Sequence, residues 1–177
     1  IIVVTPDAER TMNTYLGVSS LLCMDDIDEE AIAAGAVLYM EGYLYDRDEA
    51  KAAFRHAAQV AHRHGRLVWR TLSDSFCVDR HRTDFRALVA DEVDLLFGNE
   101  HELVSLYEVA TLDEAIERVQ QDCQLAVVTV GARGCLVVTP DGVLHAPAEP
   151  VDRVLDTTGA GDLFAAGFLF GYTRSLS

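Results

Sequence analysis

Apolar residues recur along this chain with two different periods, and the two periods alternate. From Asp48 to His64 the apolar positions lie three and four residues apart, which predicts an amphipathic helix that ends at Gly65. The stretch RLVWRTL follows, and its run of apolar and β-branched residues predicts a strand that finishes at Ser73 and Asp74. Residues 48–74 are therefore predicted to form a helix followed by a buried strand, and the same alternation recurs along the chain.

The alternation of helices and strands continues in both directions from that unit. Towards the end of the chain we expect, in this order, a helix at RTDFRALVAD, a strand at VDLLFG, a helix from Asn99, a second helix near 111–121 and a strand at LAVVTVG. Towards its start, residues 1–4 and about 9–16 predict two short strands around the turn TPDA. A short helix at about 28–34 and the apolar run AVLYMEG, which ends at Glu41 and Gly42, complete the pattern.

Strands that alternate with helices indicate right-handed crossovers and a mostly parallel sheet covered on both faces. The turn TPDG at 139–142 differs, because Pro and Asp-Gly between two apolar runs are typical of a tight antiparallel connection. We therefore predict an α/β fold, a three-layer α/β/α sandwich with a β-hairpin near 134–147. No linker or repeat interrupts the pattern, so we expect residues 1–177 to form a single domain.

Four predicted strands end in polar residues or glycine: Glu41-Gly42, Ser73-Asp74, Gly98-Asn99 and Thr129-Val130-Gly131. In open α/β sheets a ligand binds beyond the carboxyl ends of the strands. We expect these four ends to converge on one edge of the sheet.

The composition of the chain limits the kinds of partner that the protein can bind. The 177 residues are 50% hydrophobic and carry a formal net charge of -15, which opposes binding to nucleic acids and to anionic membranes. The four cysteines form no CxxC pair and no zinc spacing, so we expect reduced thiols and a cytoplasmic protein. The chain opens on IIVV without Met and stops directly behind its best motif, so we expect a piece of a longer protein.

That motif is DTTGAGDLFAAGFLFG, residues 156–171, in which a helix that is apolar on every side begins at Gly159-Ala160-Gly161-Asp162. Successive small residues let backbone N–H groups point together, and the helix adds its positive end, so an oxygen-rich anion can be held there. Asp162 in the first turn can orient a hydroxyl and accept its proton. The alternative is that Thr158 merely caps the helix and Asp162 complements its dipole.

Two other glycine-rich phosphate loops do not fit these residues. A dinucleotide fingerprint places its third glycine where Phe164 stands, and a Walker A loop needs a Gly-Lys pair, whereas the only lysine, Lys51, follows Ala50. Phosphate binding at the start of this helix must therefore depend on backbone amides and arginine. Phe164, Phe168 and Phe170 are interpreted as core residues, because a helix that is apolar all round must be covered.

The run from Asp156 to Asp162, followed by Phe164, Ala166 and Gly167, resembles the second signature of the ribokinase-like (PfkB) family of sugar and nucleoside kinases. The resemblance implies that Gly159, Ala160 and Gly161 form an anion hole for the transferred phosphoryl group. It also implies that Asp162 is the catalytic base. Asp156 and Thr158 correspond to positions that help bind a monovalent cation, K⁺, although helix-entry turn chemistry explains them equally well.

Three further segments are similar to the same family. Asn99-Glu100-His101-Glu102 resembles its NxxE motif, which helps to place Mg²⁺ and the phosphates, with Glu102 acting on the metal indirectly. The same residues also form a capping box, and Asn99 can serve both purposes. Thr129, Gly131 and Gly134 resemble its T-x-G-x-x-G segment near the ATP phosphates, and Arg10 matches an arginine that reaches into the site from an early strand.

The resemblance implies an ATP-dependent kinase that phosphorylates a hydroxymethyl group, with Mg²⁺ as cofactor. General similarity is greatest to the bacterial adenosine-kinase-like branch, so adenosine is the expected substrate. A ribokinase- or fructokinase-type sugar kinase and a non-catalytic ligand-binding relative remain alternatives. Family members are considerably longer, so we expect this portion alone to be inactive. Their lid strands sometimes pair, so a homodimer is also open.

Overall fold

The computed structural model describes residues 1–8 and 10–176. The chain divides into two compact units: residues 17–148 form the larger unit, and residues 1–16 together with 149–177 form the smaller one. Each unit is described by itself below.

The larger unit is built on a six-stranded sheet in which the strands follow their order in the chain, β3-β4-β5-β6-β7-β8. The strands are β3 (Val37–Met40), β4 (Leu67–Thr71), β5 (Leu95–Asn99), β6 (Leu125–Thr129), β7 (Cys135–Thr139) and β8 (Gly142–Ala146). The helices are α1 (Glu29–Ala34), α2 (Asp48–Arg63), α3 (Ser75–Glu92), α4 (Glu100–Tyr107) and α5 (Leu112–Asp122). Strands β3 to β6 pair in parallel, and β7 and β8 add an antiparallel hairpin. The predicted α/β fold with a mostly parallel sheet, flanking helices and a late hairpin is confirmed.

The core of this unit lies between one face of the sheet and the helices α2 to α5. Val68, Leu96 and Val128 from three neighbouring strands join apolar residues of the four helices in one cluster, among them Phe54 and Leu103. Right-handed crossovers between strands that are neighbours in sequence place their helices on the same face, which accounts for this arrangement. The opposite face carries Trp69 and Phe97, whose rings lie 5.8 Å apart and are also buried.

The four parallel strands end at one edge, as predicted. Gly42, after β3, donates its N–H to the hydroxyl oxygen of Ser73, after β4, at 2.7 Å. Asn99, the last residue of β5, pairs in register with Thr129, the last residue of β6. The polar strand ends are therefore neighbours in space.

Helix α3 is longer than the pattern predicted. It begins at Ser75, where the Asp74 carboxylate caps it by accepting from the N–H of Cys77 at 2.6 Å. Its backbone departs from helical geometry at His81, with φ -121° and ψ 19°, so two helical segments meet there. The first segment, SFCVDR, lacks a 3.6-residue apolar period, and the prediction for that reason began only after it.

The smaller unit contains a two-stranded antiparallel sheet and one helix. Strand β1 (Ile2–Val4) pairs with β2 (Arg10–Met12), and Val4 lies opposite Arg10. Helix α6 spans Ala160–Tyr172. The interpretation of its phenylalanines as core residues is wrong for Phe170, which is 54% exposed, while Phe164 and Phe168 are half-buried. Apolar composition does not reveal what covers a helix.

All four cysteines are free thiols, and three of them are buried. Within residues 1–8 and 10–176 no helix combines the length and the apolar character needed to span a membrane.

Arg70 on β4 is a charged side chain that is fully buried. Its guanidinium carbon lies 3.9 Å from the ring centre of Phe85, 5.0 Å from that of Tyr45 and 5.7 Å from that of Phe54. Its three nitrogens make no hydrogen bond within the described residues. Burial lowers the pKa of Arg70 to about 10, so the side chain stays charged at neutral pH, and the faces of the aromatic rings stabilise it.

We predict that Arg70→Met raises the free energy of unfolding by about 1–3 kcal/mol. The desolvation cost of a lone buried ion is several kcal/mol, whereas cation–π contacts return only about 2 kcal/mol. Urea unfolding measures the difference, and Arg86→Met is the control, because Arg86 is an exposed cation that lies 5.3 Å from the ring of Tyr107. A loss of stability in Arg70→Met would contradict the prediction. It would show that the rings around Arg70 stabilise the cation by more than its desolvation costs.

Candidate functional site

The N-terminal end of α6, residues 159–162, is called the mouth of the helix below, and its shape is set by the backbone conformation. Gly159 is the N-cap residue and has a left-handed conformation, φ 71°, and among residues 1–8 and 10–176 no side chain caps the helix. The alternative in which Thr158 caps α6 is therefore wrong. Instead, the Thr157 carbonyl accepts from the N–H of Ala160 at 3.1 Å, and the Asp156 carboxylate accepts from the N–H of Thr158 at 2.8 Å.

The two glycines of this mouth differ in what they require. Gly159 needs to be glycine because its φ is positive, and a Cβ there would lie 3.9 Å from the Asp162 carboxylate. Gly161 does not have a positive φ, and a Cβ there would meet no described atom within 4 Å. Packing within the described residues therefore does not explain why position 161 is glycine.

Arg10 lies beside this loop. Its Nη1 donates to the hydroxyl oxygen of Thr157 at 2.8 Å, so the smaller unit joins Arg10 with the residues that precede the helix mouth. Hydrogen bonds from the side chain and backbone of Thr158 lower the pKa of Asp156, and the charge of Arg10 acts in the same direction. Asp156 thus carries a negative charge next to the predicted anion hole.

The second group of predicted residues lies in the larger unit, at the polar edge of the sheet. Asn99 caps α4 by accepting from the N–H of Glu102 at 2.9 Å, and Glu102 accepts from the backbone N–H of Asn99 at 3.0 Å. The side-chain amide of Asn99 also donates to Glu102, at 2.7 Å. The capping-box interpretation is therefore correct, and it holds the Glu102 carboxylate at a fixed place.

Glu102 is a buried carboxylate, only 7% exposed. Gly98 makes room for it, since a Cβ at that position would lie 3.3 Å from Glu102 Oε2 and 2.9 Å from a Leu72 methyl carbon. Burial raises the pKa of Glu102, and the negative charges of Asp74 and Glu41 raise it further. Three carboxylates at the ends of neighbouring elements thus act on one another at this edge.

Thr129 neighbours Asn99 across the sheet, and the loop behind it contains the predicted glycines. Gly131 and Gly134 both have positive φ, 61° and 101°. A Cβ at Gly134 would lie 2.1 Å from the carbonyl oxygen of Ala146, so this glycine is required by close backbone packing. Arg133 binds Glu100 at 2.5 Å, and its charge is therefore partly used within the protein.

Sequence reasoning missed the contacts that join the ends of β3 and β4. Ser73 has a positive φ of 74°, and its hydroxyl contacts the Glu41 carboxylate as well as the N–H of Gly42. A Cβ at Gly42 would lie 2.6 Å from the Ser73 hydroxyl oxygen. Tyr43 donates to the carbonyl of Ser73 at 3.2 Å. The polar strand ends were the available signal, but they do not show which partners meet.

In the described part of the chain, no group of three or more His, Cys, Asp and Glu side chains has the geometry of a metal site. A divalent cation at the polar edge would need oxygen ligands from water or from a bound phosphate in addition to protein carboxylates.

Solved structures give the fold its class. An adenosine kinase from Sinorhizobium meliloti is 48% identical, with a TM-score of 0.95 over 99% of this chain and 54% of that one. A probable sugar kinase from Rhizobium etli CFN 42 is 45% identical, with a TM-score of 0.95 and the same two coverages. These similarities, with the glycine-rich helix mouth, define a ribokinase-like kinase fold.

The family is identified by a match that extends over the whole chain. The model of the pfkB family of carbohydrate kinases matches residues 1–177, and the protein belongs to that family. Among curated proteins, the aminoimidazole riboside kinase of Salmonella typhimurium is 38% identical over 86 residues, which are 49% of this chain and 24% of that protein. The chain spans about half the length of the solved structures above and less of this curated relative.

We predict that the stability of the protein depends on pH through Glu102. Because its folded pKa is raised above the ordinary value of 4.5, the folded state binds more protons than the unfolded state in that window. The free energy of unfolding therefore falls as pH rises from about 4.5 through the folded pKa. Glu102→Gln keeps the capping box and removes this fall.

Urea unfolding between pH 4 and 8 measures this effect, with Glu117→Gln, an exposed carboxylate on α5, as the matched control. The stability advantage of Glu102→Gln should grow with pH, while the control stays parallel to the wild type. Parallel curves for both variants would contradict the assignment.

Proposed function

We propose that the full-length protein transfers the γ-phosphoryl group of ATP to a hydroxymethyl group of a nucleoside or sugar, with adenosine as the first candidate. The observation that carries the proposal is the mouth of α6, where Gly159, which has no side chain, occupies the N-cap position with a positive φ. Such a mouth offers backbone N–H groups and the positive helix end to an anion.

Each residue of the mouth has a role in this proposal. The amides of Gly159 and Gly161 hold the charge that develops on the phosphoryl group, and Asp162 accepts the proton of the attacking hydroxyl. The N–H of Ala160 donates to the Thr157 carbonyl at 3.1 Å, so Ala160 would join them only by sharing that bond. Asp162 is exposed at the first turn of the helix. Phosphoryl transfer depends mainly on positioning and charge neutralisation, so a carboxylate of modest basicity suffices.

The polar edge of the larger unit supplies groups that suit magnesium and phosphate. Mg²⁺, when bound, would neutralise negative charge on the phosphate oxygens. Glu102 would act on the ion through water, since both carboxylate oxygens already accept from Asn99. Mutual repulsion among Glu102, Asp74 and Glu41 fits this role, because a cation would relieve it.

The remaining predicted residues complete the proposal. Thr129, Gly131 and Gly134 would lie along the ATP phosphates, Arg10 would add positive charge, and Asp156 with Thr158 would bind K⁺. We place the reaction in the cytoplasm, with a small molecule as the acceptor and with a homodimer as an assembly to be tested.

Similarity favours adenosine over the other acceptors. The adenosine kinase of Sinorhizobium meliloti is 48% identical over 99% of this chain, slightly more than the 45% of the probable sugar kinase of Rhizobium etli CFN 42 over the same share. The relatives also include a ribokinase and a 1-phosphofructokinase, and ribokinase- or fructokinase-type activity is the second candidate.

We predict that the full-length protein forms ADP from ATP when adenosine is added, and that Asp162→Asn lowers kcat by about 10²–10⁴-fold because the proton acceptor is lost. Coupled assay of ADP over a panel of nucleosides, ribose and fructose measures the rate and ranks the acceptors. The phosphorylated product is identified by ³¹P NMR.

Three outcomes decide between the candidates. Turnover with ribose or fructose alone would replace adenosine by a sugar. Nucleotide binding in a calorimeter without turnover on any acceptor would favour a ligand-binding relative. A kcat of Asp162→Asn within a few fold of wild type would exclude Asp162 as the base.

A further inference from the structure

We propose that Thr157 is a positioning residue: its hydroxyl holds the guanidinium of Arg10 beside the mouth of α6, so that a fixed positive charge meets the phosphoryl group. This inference rests on the proposed function, which places that group at the mouth. It adds a role for a residue that the anion hole and the catalytic base leave unassigned.

Thr157 makes contacts on two sides of the loop. Its hydroxyl oxygen accepts from Arg10 Nη1 at 2.8 Å, across 147 positions of the sequence. Its carbonyl oxygen accepts from the N–H of Ala160 at 3.1 Å, inside the turn that starts the helix. The residue that shapes the turn is therefore also the residue that binds the arginine.

Arg10 needs such a partner because its surroundings do little to fix it. Strands β1 and β2 are exposed along their whole described length, so no buried packing orders the side chain of Arg10. A free arginine side chain has many rotamers, and a hydrogen bond at its tip selects among them.

A neutral acceptor suits this purpose better than a carboxylate. An Asp or Glu partner would cancel the charge of the guanidinium, whereas a hydroxyl orients it and leaves the charge available. The carboxylate of Asp156, the residue before Thr157, accepts from the N–H of Thr158 at 2.8 Å. A guanidinium has five N–H donors, so the bond to Thr157 leaves others to meet phosphate oxygens.

The test is a double-mutant cycle on the full-length protein with Thr157→Val, Arg10→Met and the combined variant. Valine keeps the shape of threonine and removes the hydroxyl. Thr157→Val should lower kcat/KM by about tenfold, mainly through kcat, in line with the loss of one hydrogen bond to a charged group. In the Arg10→Met background the same change should have no further effect.

Two variants separate positioning from structure. Thr157→Ser keeps the hydroxyl and should restore most of the rate that valine loses. Thr173→Val removes the hydroxyl that donates to Leu169 at the far end of the same helix, and it should leave turnover unchanged. Additive effects of Thr157→Val and Arg10→Met, or a Thr157→Ser variant as slow as the valine variant, would overturn the proposal.

Binding of inorganic pyrophosphate, followed by calorimetry, keeps this inference distinct from the proposed function. If the wild type transfers no phosphate to any acceptor, the proposed function fails, and pyrophosphate binding alone decides the role of Thr157. Weaker binding by both Thr157→Val and Arg10→Met, without additivity, would then support it. Equal affinity of Thr157→Val and wild type would overturn it.

Discussion

The parallel pairing of β3, β4, β5 and β6 is the constraint on which the larger unit depends. Because the four strands run in one direction and lie in chain order, their carboxyl ends meet at a single edge. Each helix between them must return along the sheet, and it buries its apolar side against the same face. The carboxylates of Glu41, Asp74 and Glu102 are neighbours as a consequence of this pairing, and burial, followed by the charges of Asp74 and Glu41, raises the pKa of Glu102.

The mouth of α6 shows a second way of building a binding site, in which backbone conformation replaces side chains. A conventional cap would satisfy the amides at the start of the helix and occupy the place of a ligand. Here Gly159 takes the N-cap position with a positive φ, and the bonds made by Asp156 and Thr157 hold the preceding turn. The local order of the loop is therefore maintained by residues that stand before the mouth.

Periodicity and turn chemistry predicted the order of helices and strands in the larger unit. They did so because its segments have strong apolar patterns and clear breaks at Gly65 and at Pro140-Asp141. The same reasoning missed the first segment of α3, which has no such pattern, and the contact of Ser73 with Glu41, which depends on strands meeting in space. It also placed Phe170 in the core, since a sequence shows that a helix is apolar but does not identify what packs on it. The site residues came from motif resemblance, whereas the link from Arg10 to Thr157 became apparent only in three dimensions.

The central claim is that the mouth of α6 has small residues so that a phosphoryl group can approach its amides. Gly161→Ala and Gly167→Ala test it as a pair, because both positions lie in the same helix and neither added Cβ would meet a described atom within 4 Å. Single-turnover rates of the full-length protein, with melting temperatures as a check on folding, should fall by about 10²-fold or more for Gly161→Ala and little for Gly167→Ala. Equal rates for the two variants would contradict the account.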